Sequence, residues 1–87
     1  MSLEALSNAR GVSGKETEVR DTILQEVGGC VDEYHIDALG NLLCVKKGHH
    51  SSGEWPSKVM IAAHMDEIGL IVRRINDNGT LRFDKVG

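Results

Sequence analysis

Large side chains are scarce in this 87-residue chain, where one Phe, one Trp and one Tyr stand against ten glycines. So few aromatics leave little to fill an interior, and a chain this short buries only roughly 60% of its unfolded surface. The core must be thin, and the composition points to a piece of something larger. No apolar run approaches the roughly 20 residues that cross a bilayer. The N-terminus, with Glu4 and no basic cluster, lacks the form of a signal peptide. Charge of one sign is not collected anywhere: ten Lys and Arg are interspersed with thirteen Asp and Glu, for a net charge of −3. That distribution excludes an electrostatic hold on nucleic acid or on an anionic membrane. A cytoplasmic protein is the expectation. Cysteine is also sparse, and Cys30 and Cys44 lie in apolar, strand-like contexts without CxxC spacing. Buried reduced thiols are expected there, not a disulfide or a metal pair.

What is present falls into a clear order of elements. Ser13, Gly14, Lys15 and Glu16 have the S-x-x-E form of a capping box, so a helix is expected to start there. Val19, Ile23 and Val27 follow at intervals of four with Leu24 beside them, while Glu18, Arg20, Asp21 and Gln25 are expected to face water. Gly28 and Gly29 end the helix. Upstream, residues 3–9 read as a short helix and 8–11 as the turn between the two. Residues 31–36 and 42–46 can extend on either side of turn residues 37–41, which gives a hairpin. A polar, glycine-containing stretch over 47–54 reads as an exposed loop, which Pro56 closes. Residues 59–63 are apolar without alternation, the pattern of a strand buried on both faces. Residues 69–75 and 80–86 flank Asn76, Asp77, Asn78 and Gly79, a hairpin turn.

The apolar run over 59–63 leads directly into His64, Met65, Asp66 and Glu67. In open α/β sheets ligands bind beyond the carboxyl ends of strands, where the chain leaves the sheet and can present side chains into a crevice. His64 and Asp66 are two apart, so in an extended segment they share a side that Met65 does not. Imidazole and carboxylate pair in this way at hydrolytic metal sites. The same triplet also suits a structural histidine with an aspartate turn-cap, and spacing alone does not separate the two. Among the other histidines, His35 reads as structural on a strand or its edge, and His49 and His50 lie on the polar loop.

Four motifs taken in order carry a resemblance. They are Gly11 to Glu16 with Val19 and Arg20, Asp37 to Leu42, Ala62 to Gly69, and Gly79 to Phe83 with Val86 and Gly87. Together they resemble the N-terminal part of the glutamyl and deblocking aminopeptidases. These are di-metal exopeptidases that assemble into hollow tetrahedral particles, and some carry an endoglucanase label. The resemblance implies an α/β fold, the N-terminal part of a three-layer exopeptidase sandwich over residues 1–68, with residues 69–87 beginning an inserted β-type oligomerisation domain. It implies two divalent metal ions, zinc or cobalt, with His64 as a ligand of one and Asp66 as the catalytic-site carboxylate that orients it. Glu67 matches a family position best read as a structural contact.

By the same resemblance the partners are peptide substrates and copies of the same chain, as a homo-oligomer of up to twelve. The bridging aspartate, the glutamate pair that supplies base and ligand, a further aspartate and a final histidine come later in the family and have no counterpart here. Arg10 stands where the family usually has proline. The chain therefore reads as a fragment of a metal-dependent aminopeptidase, inactive alone. The alternative is a non-catalytic module whose strands from Gly69 onward pair with a partner in assembly or regulation.

Overall fold

A computed structural model describes residues 2–49 and 58–87. Along the chain come α1 (Leu3–Asn8), α2 (Thr17–Val27), β1 (Glu33–Ile36), β2 (Leu42–Val45), β3 (Gly69–Ile75) and β4 (Leu81–Val86). The strands form two antiparallel pairs, β1 with β2 and β3 with β4. This mixture of helix and strand agrees with the α/β class. The expectations placed on His50 and Pro56 lie outside the described residues.

Both helices form, but α2 does not start as the S-x-x-E spacing predicts. Lys15 N–H donates to the Val12 carbonyl at 2.7 Å, and Gly14 sits at φ +86°. A positive φ at the third position makes this a type II turn, which only glycine adopts without strain. The turn takes Ser13 out of the capping position, and the helix opens three residues after Gly14, with Glu16 as its N-cap. Glu16 still reaches back, but to the Gly14 amide, at 2.9 Å. At α1 the capping is conventional, Ser2 Oγ accepting from the Ala5 amide.

The core is as thin as the composition implies: among the described residues only Ala9 and Val19 are buried hydrophobics, each 6% exposed. Gly11 lies against Val19 so closely that a Cβ there would stand 2.5 Å from Val19 Cγ2 and 3.1 Å from the Met65 carbonyl. That close approach lets residue 67 come alongside. Glu67 N–H donates to the Gly11 carbonyl at 2.7 Å, and Val12 and Glu67 form an isolated parallel bridge. Arg20 is half-buried instead of facing water. Its guanidinium donates to the Gly40 carbonyl at 2.8 Å and to Thr17 Oγ1 at 3.3 Å, which ties α2 to the turn between β1 and β2.

Two expectations of burial fail. Residues 59–63 carry no strand pairing, and Val59, Met60 and Ile61 are 84%, 90% and 92% exposed. A strand becomes central only when neighbours take up its N–H and C=O groups on both edges, and no described residue does so before Glu67. Likewise Cys30, in the turn after α2, and Cys44, on β2, are free and exposed. The radius of gyration, 18.7 Å, exceeds the roughly 12 Å of a compact domain of this length.

The β3–β4 hairpin turns through Asn76 to Gly79, with Gly79 N–H on the Asn76 carbonyl, Asn76 N–H on the Thr80 carbonyl and Gly79 at φ +83°. A bulge between Val72 and Arg74 leaves Arg73 out of register, and its guanidinium pairs with Asp84.

The Gly11 contact yields a test. Overpacking of this kind costs about 1–3 kcal/mol, so in Gly11→Ala the Glu67 amide is expected to exchange with solvent about tenfold faster or more. Gly29→Ala, where a Cβ meets nothing within 4 Å, is expected to leave that rate unchanged. Hydrogen exchange followed by NMR checks both.

Candidate functional site

The residues the sequence singled out lie just before the Val12–Glu67 bridge. His64 Nδ1 lies 3.0 Å from the Asp66 carbonyl and 3.2 Å from Asp66 Oδ1. Both partners only accept, so in the neutral ring Nδ1 carries the proton and donates it. The lone pair of Nε2 is left free. The His64 side chain is 86% exposed and that of Asp66 44%, so the imidazole projects from the chain with its other face held by the carboxylate.

Glu67 has the structural role expected of it. Its amide donates to the Gly11 carbonyl, and its Oε1 accepts from the Gly11 amide at 3.4 Å. Gly69 continues the approach, since a Cβ there would stand 2.4 Å from Val12 Cγ2. These contacts fix the backbone just beyond Asp66.

A cleft of about 130 Å³ opens beside the imidazole. It is lined by residues 63–66, by Glu16 at the head of α2, and by residues 39–41 of the β1–β2 turn. Three stretches far apart in sequence thus meet at His64. The turn is shaped by Asp37, whose Oδ1 accepts from the amides of Leu39 (3.0 Å) and Asn41 (2.9 Å) while Oδ2 accepts from Asn41 Nδ2 (2.9 Å). Gly40, at φ +87°, completes it. The Asn41 side-chain amide foremost, with the Asn41 and Leu39 backbone amides and the nearby His35, holds the Asp37 carboxyl below its ordinary 3.8.

His64 and Asp66 are therefore brought together, and Glu67 is turned to the backbone of Gly11. His35 is exposed on β1 and His49 is exposed beyond β2. Among the described residues no three His, Cys, Asp or Glu side chains gather where they could hold an ion. As a metal site the set fits as one imidazole donor with its orienting carboxylate. Glu16, Gly40 and Asn41 were not foreseen at the cleft. The run Asp37 to Asn41 did carry a signal, but it reads as a turn until its position beside His64 is known.

Comparison with known proteins gives this arrangement its context. The M42 glutamyl aminopeptidase family matches residues 40–87, which include Gly40 and Asn41 of the turn and the His64 segment. A protein of Acetivibrio thermocellus, provisionally named an aminopeptidase, is 49% identical over 85 residues, covering 98% of this chain and 24% of the relative. Lysyl aminopeptidase of Pyrococcus furiosus is 40% identical over 86 residues, covering 98% of this chain and 23% of the relative. The crystal structure of a Thermotoga maritima protein solved as an endoglucanase superimposes with a TM-score of 0.86 at 44% identity. It spans 100% of this chain and 27% of its own. The chain belongs to the M42 glutamyl aminopeptidase family. It spans about a quarter of the length of the relatives it matches.

Two NMR measurements check the geometry. In neutral His64 the proton is expected on Nδ1, read from the two ring nitrogen shifts; a proton on Nε2 contradicts the contact with Asp66. The Asp37 carboxyl is depressed in the folded turn, so its contribution is present above the unfolded value of 3.8 and is lost as pH falls through the lower folded value. The amide shifts of Leu39 and Asn41 are expected to titrate together with a midpoint below 3.8. A midpoint at or above that value would show that the carboxylate is not held by these amides.

Proposed function

We propose that these residues are the N-terminal part of a metal-dependent aminopeptidase, in which His64 is a ligand of one divalent ion and Asp66 orients it. One observation carries the reading: His64 Nδ1 donates to Asp66, so its free lone pair is that of Nε2. A histidine whose second nitrogen is held by a carboxylate is oriented and made more basic for metal binding. Family membership supports hydrolysis of peptides from the amino end, and the lysyl aminopeptidase name of one relative agrees in reaction class.

When bound, zinc or cobalt supplies a water acidic enough to act as nucleophile near neutral pH and polarises the carbonyl of the bond to be cut. The residues of this chain prepare the place. His64 offers one neutral imidazole, Asp66 fixes its tautomer and direction, and the Gly11–Glu67 contacts hold the backbone behind them. Residues 39–41 line the cleft together with the imidazole. Further ligands and the general base belong to the rest of the protein, since a hydrolytic site needs three or more protein ligands.

In this reading residues 1–68 begin a three-layer α/β sandwich whose other strands flank residues 59–63. The exposure of Val59, Met60 and Ile61 supports this, because apolar surface of that extent is ordinarily covered. Residues 69–87 begin an inserted β domain through which copies of the protein assemble, to as many as twelve. The free thiols of Cys30 and Cys44 suit a reducing cytoplasm.

Hydrolysis of chromogenic aminoacyl substrates, with zinc or cobalt added, tests the proposal in this chain and in a longer product of the same gene. Activity is expected in the longer product alone and is expected to vanish in His64→Ala. Asp66→Asn is expected to weaken metal binding about 10- to 100-fold. Full activity in the longer product after His64→Ala would exclude the role given to His64, and a longer product without activity would favour a module of assembly or regulation.

A further inference from the structure

Arg20 of α2 reaches Gly40, one of the residues that line the cleft, and nothing in its position on a helical surface requires that. Its Nη1 donates to the Gly40 carbonyl at 2.8 Å and its Nη2 to Thr17 Oγ1 at 3.3 Å, while Nε is buried without a hydrogen-bond partner among the described residues. A buried, unpartnered donor costs free energy, so the side chain is held in this pose by its two outer contacts. Gly40 fits the guanidinium closely: a Cβ there would stand 3.4 Å from Nη1, and its φ of +87° already favours glycine.

The neighbouring residue of α2 holds the other side of the cleft. Val19 packs on Gly11, which is bonded to Glu67 next to Asp66. Two adjacent helical residues thus fix two separate structures: Val19 the backbone that carries His64 and Asp66, and Arg20 the wall of Gly40 and Asn41 that lines the same cleft.

We infer that Arg20 is a positioning residue of the aminopeptidase site, setting the distance between the Gly40–Asn41 wall and the His64 edge and so the fit of the substrate's amino-terminal residue. The inference rests on the function proposed above. Because Arg20 touches neither His64 nor Asp66, its loss moves the wall and leaves the metal ligand in place. The separation predicts a defect in substrate binding without a defect in metal binding. Lysine is no substitute, since one ammonium cannot span the Gly40 carbonyl and Thr17 Oγ1 as the planar fork does.

The test uses the longer, metal-loaded protein for kinetics and the 87-residue chain for NMR, with Arg20→Ala and Arg20→Lys in each. In both variants KM is expected to rise about tenfold with kcat changed less than about threefold and with metal content unchanged. Free guanidinium added to Arg20→Ala is expected to restore KM. In the short chain the amide shifts of Gly40 and Asn41 are expected to move while that of Glu67 does not. An unchanged KM, loss of bound metal, or unmoved Gly40 and Asn41 amides would each overturn the inference. Failure of the underlying function is separately visible: the parent longer protein would be inactive, or its activity would survive His64→Ala, and the inference would fall with it.

Discussion

The placement of the His64 segment on α2 depends on the close approach of Gly11 to Val19. Without a side chain at position 11, the backbone lies flat on α2 and still has its carbonyl and amide free for Glu67. The contact is local in size but long in reach, joining residues 56 positions apart. It also decides where His64 and Asp66 stand, since they lie within three residues of the bridge. Two buried hydrophobic side chains among the described residues could not do this through packing alone. Order comes instead from steric fit at glycines and from a few backbone hydrogen bonds.

From that anchor the site is assembled out of turns. The Val12–Lys15 turn sets the start of α2 and places Glu16 at the cleft. The Asp37 carboxylate gathers three N–H groups and so shapes the wall that Arg20 then ties to the helix. The imidazole is aimed by a carboxylate two residues further along the chain. Apart from the Arg20 tie, each device satisfies a polar group within a few residues, which suits a segment that has little interior of its own.

Much of this was legible in the sequence because it is local. The stripe of Val19, Ile23 and Val27, the glycines that follow, and the Asn76–Gly79 turn gave α2 and the β3–β4 hairpin to within a few residues. The pairing of His64 with Asp66 followed from the period of an extended chain. Two expectations failed where one local rule competed with another. The S-x-x-E spacing promised a capping box, but Gly14 favoured a left-handed turn and won, and Arg20 was assigned to water because periodicity sees the helix and not the turn packed beside it. The buried strand over 59–63 and the buried thiols failed for a different reason. Apolar character records what a segment is suited to contact, and the described residues of this chain do not provide the contact.

The central claim is that His64 presents Nε2 to a divalent ion while Asp66 holds Nδ1. Anomalous diffraction at the metal's absorption edge, from crystals of the metal-loaded longer protein, measures this most directly. The account requires an anomalous peak about 2.0–2.1 Å from His64 Nε2, with Asp66 still accepting from Nδ1. A peak on Nδ1, or a loaded site with no ion beside His64, would contradict it.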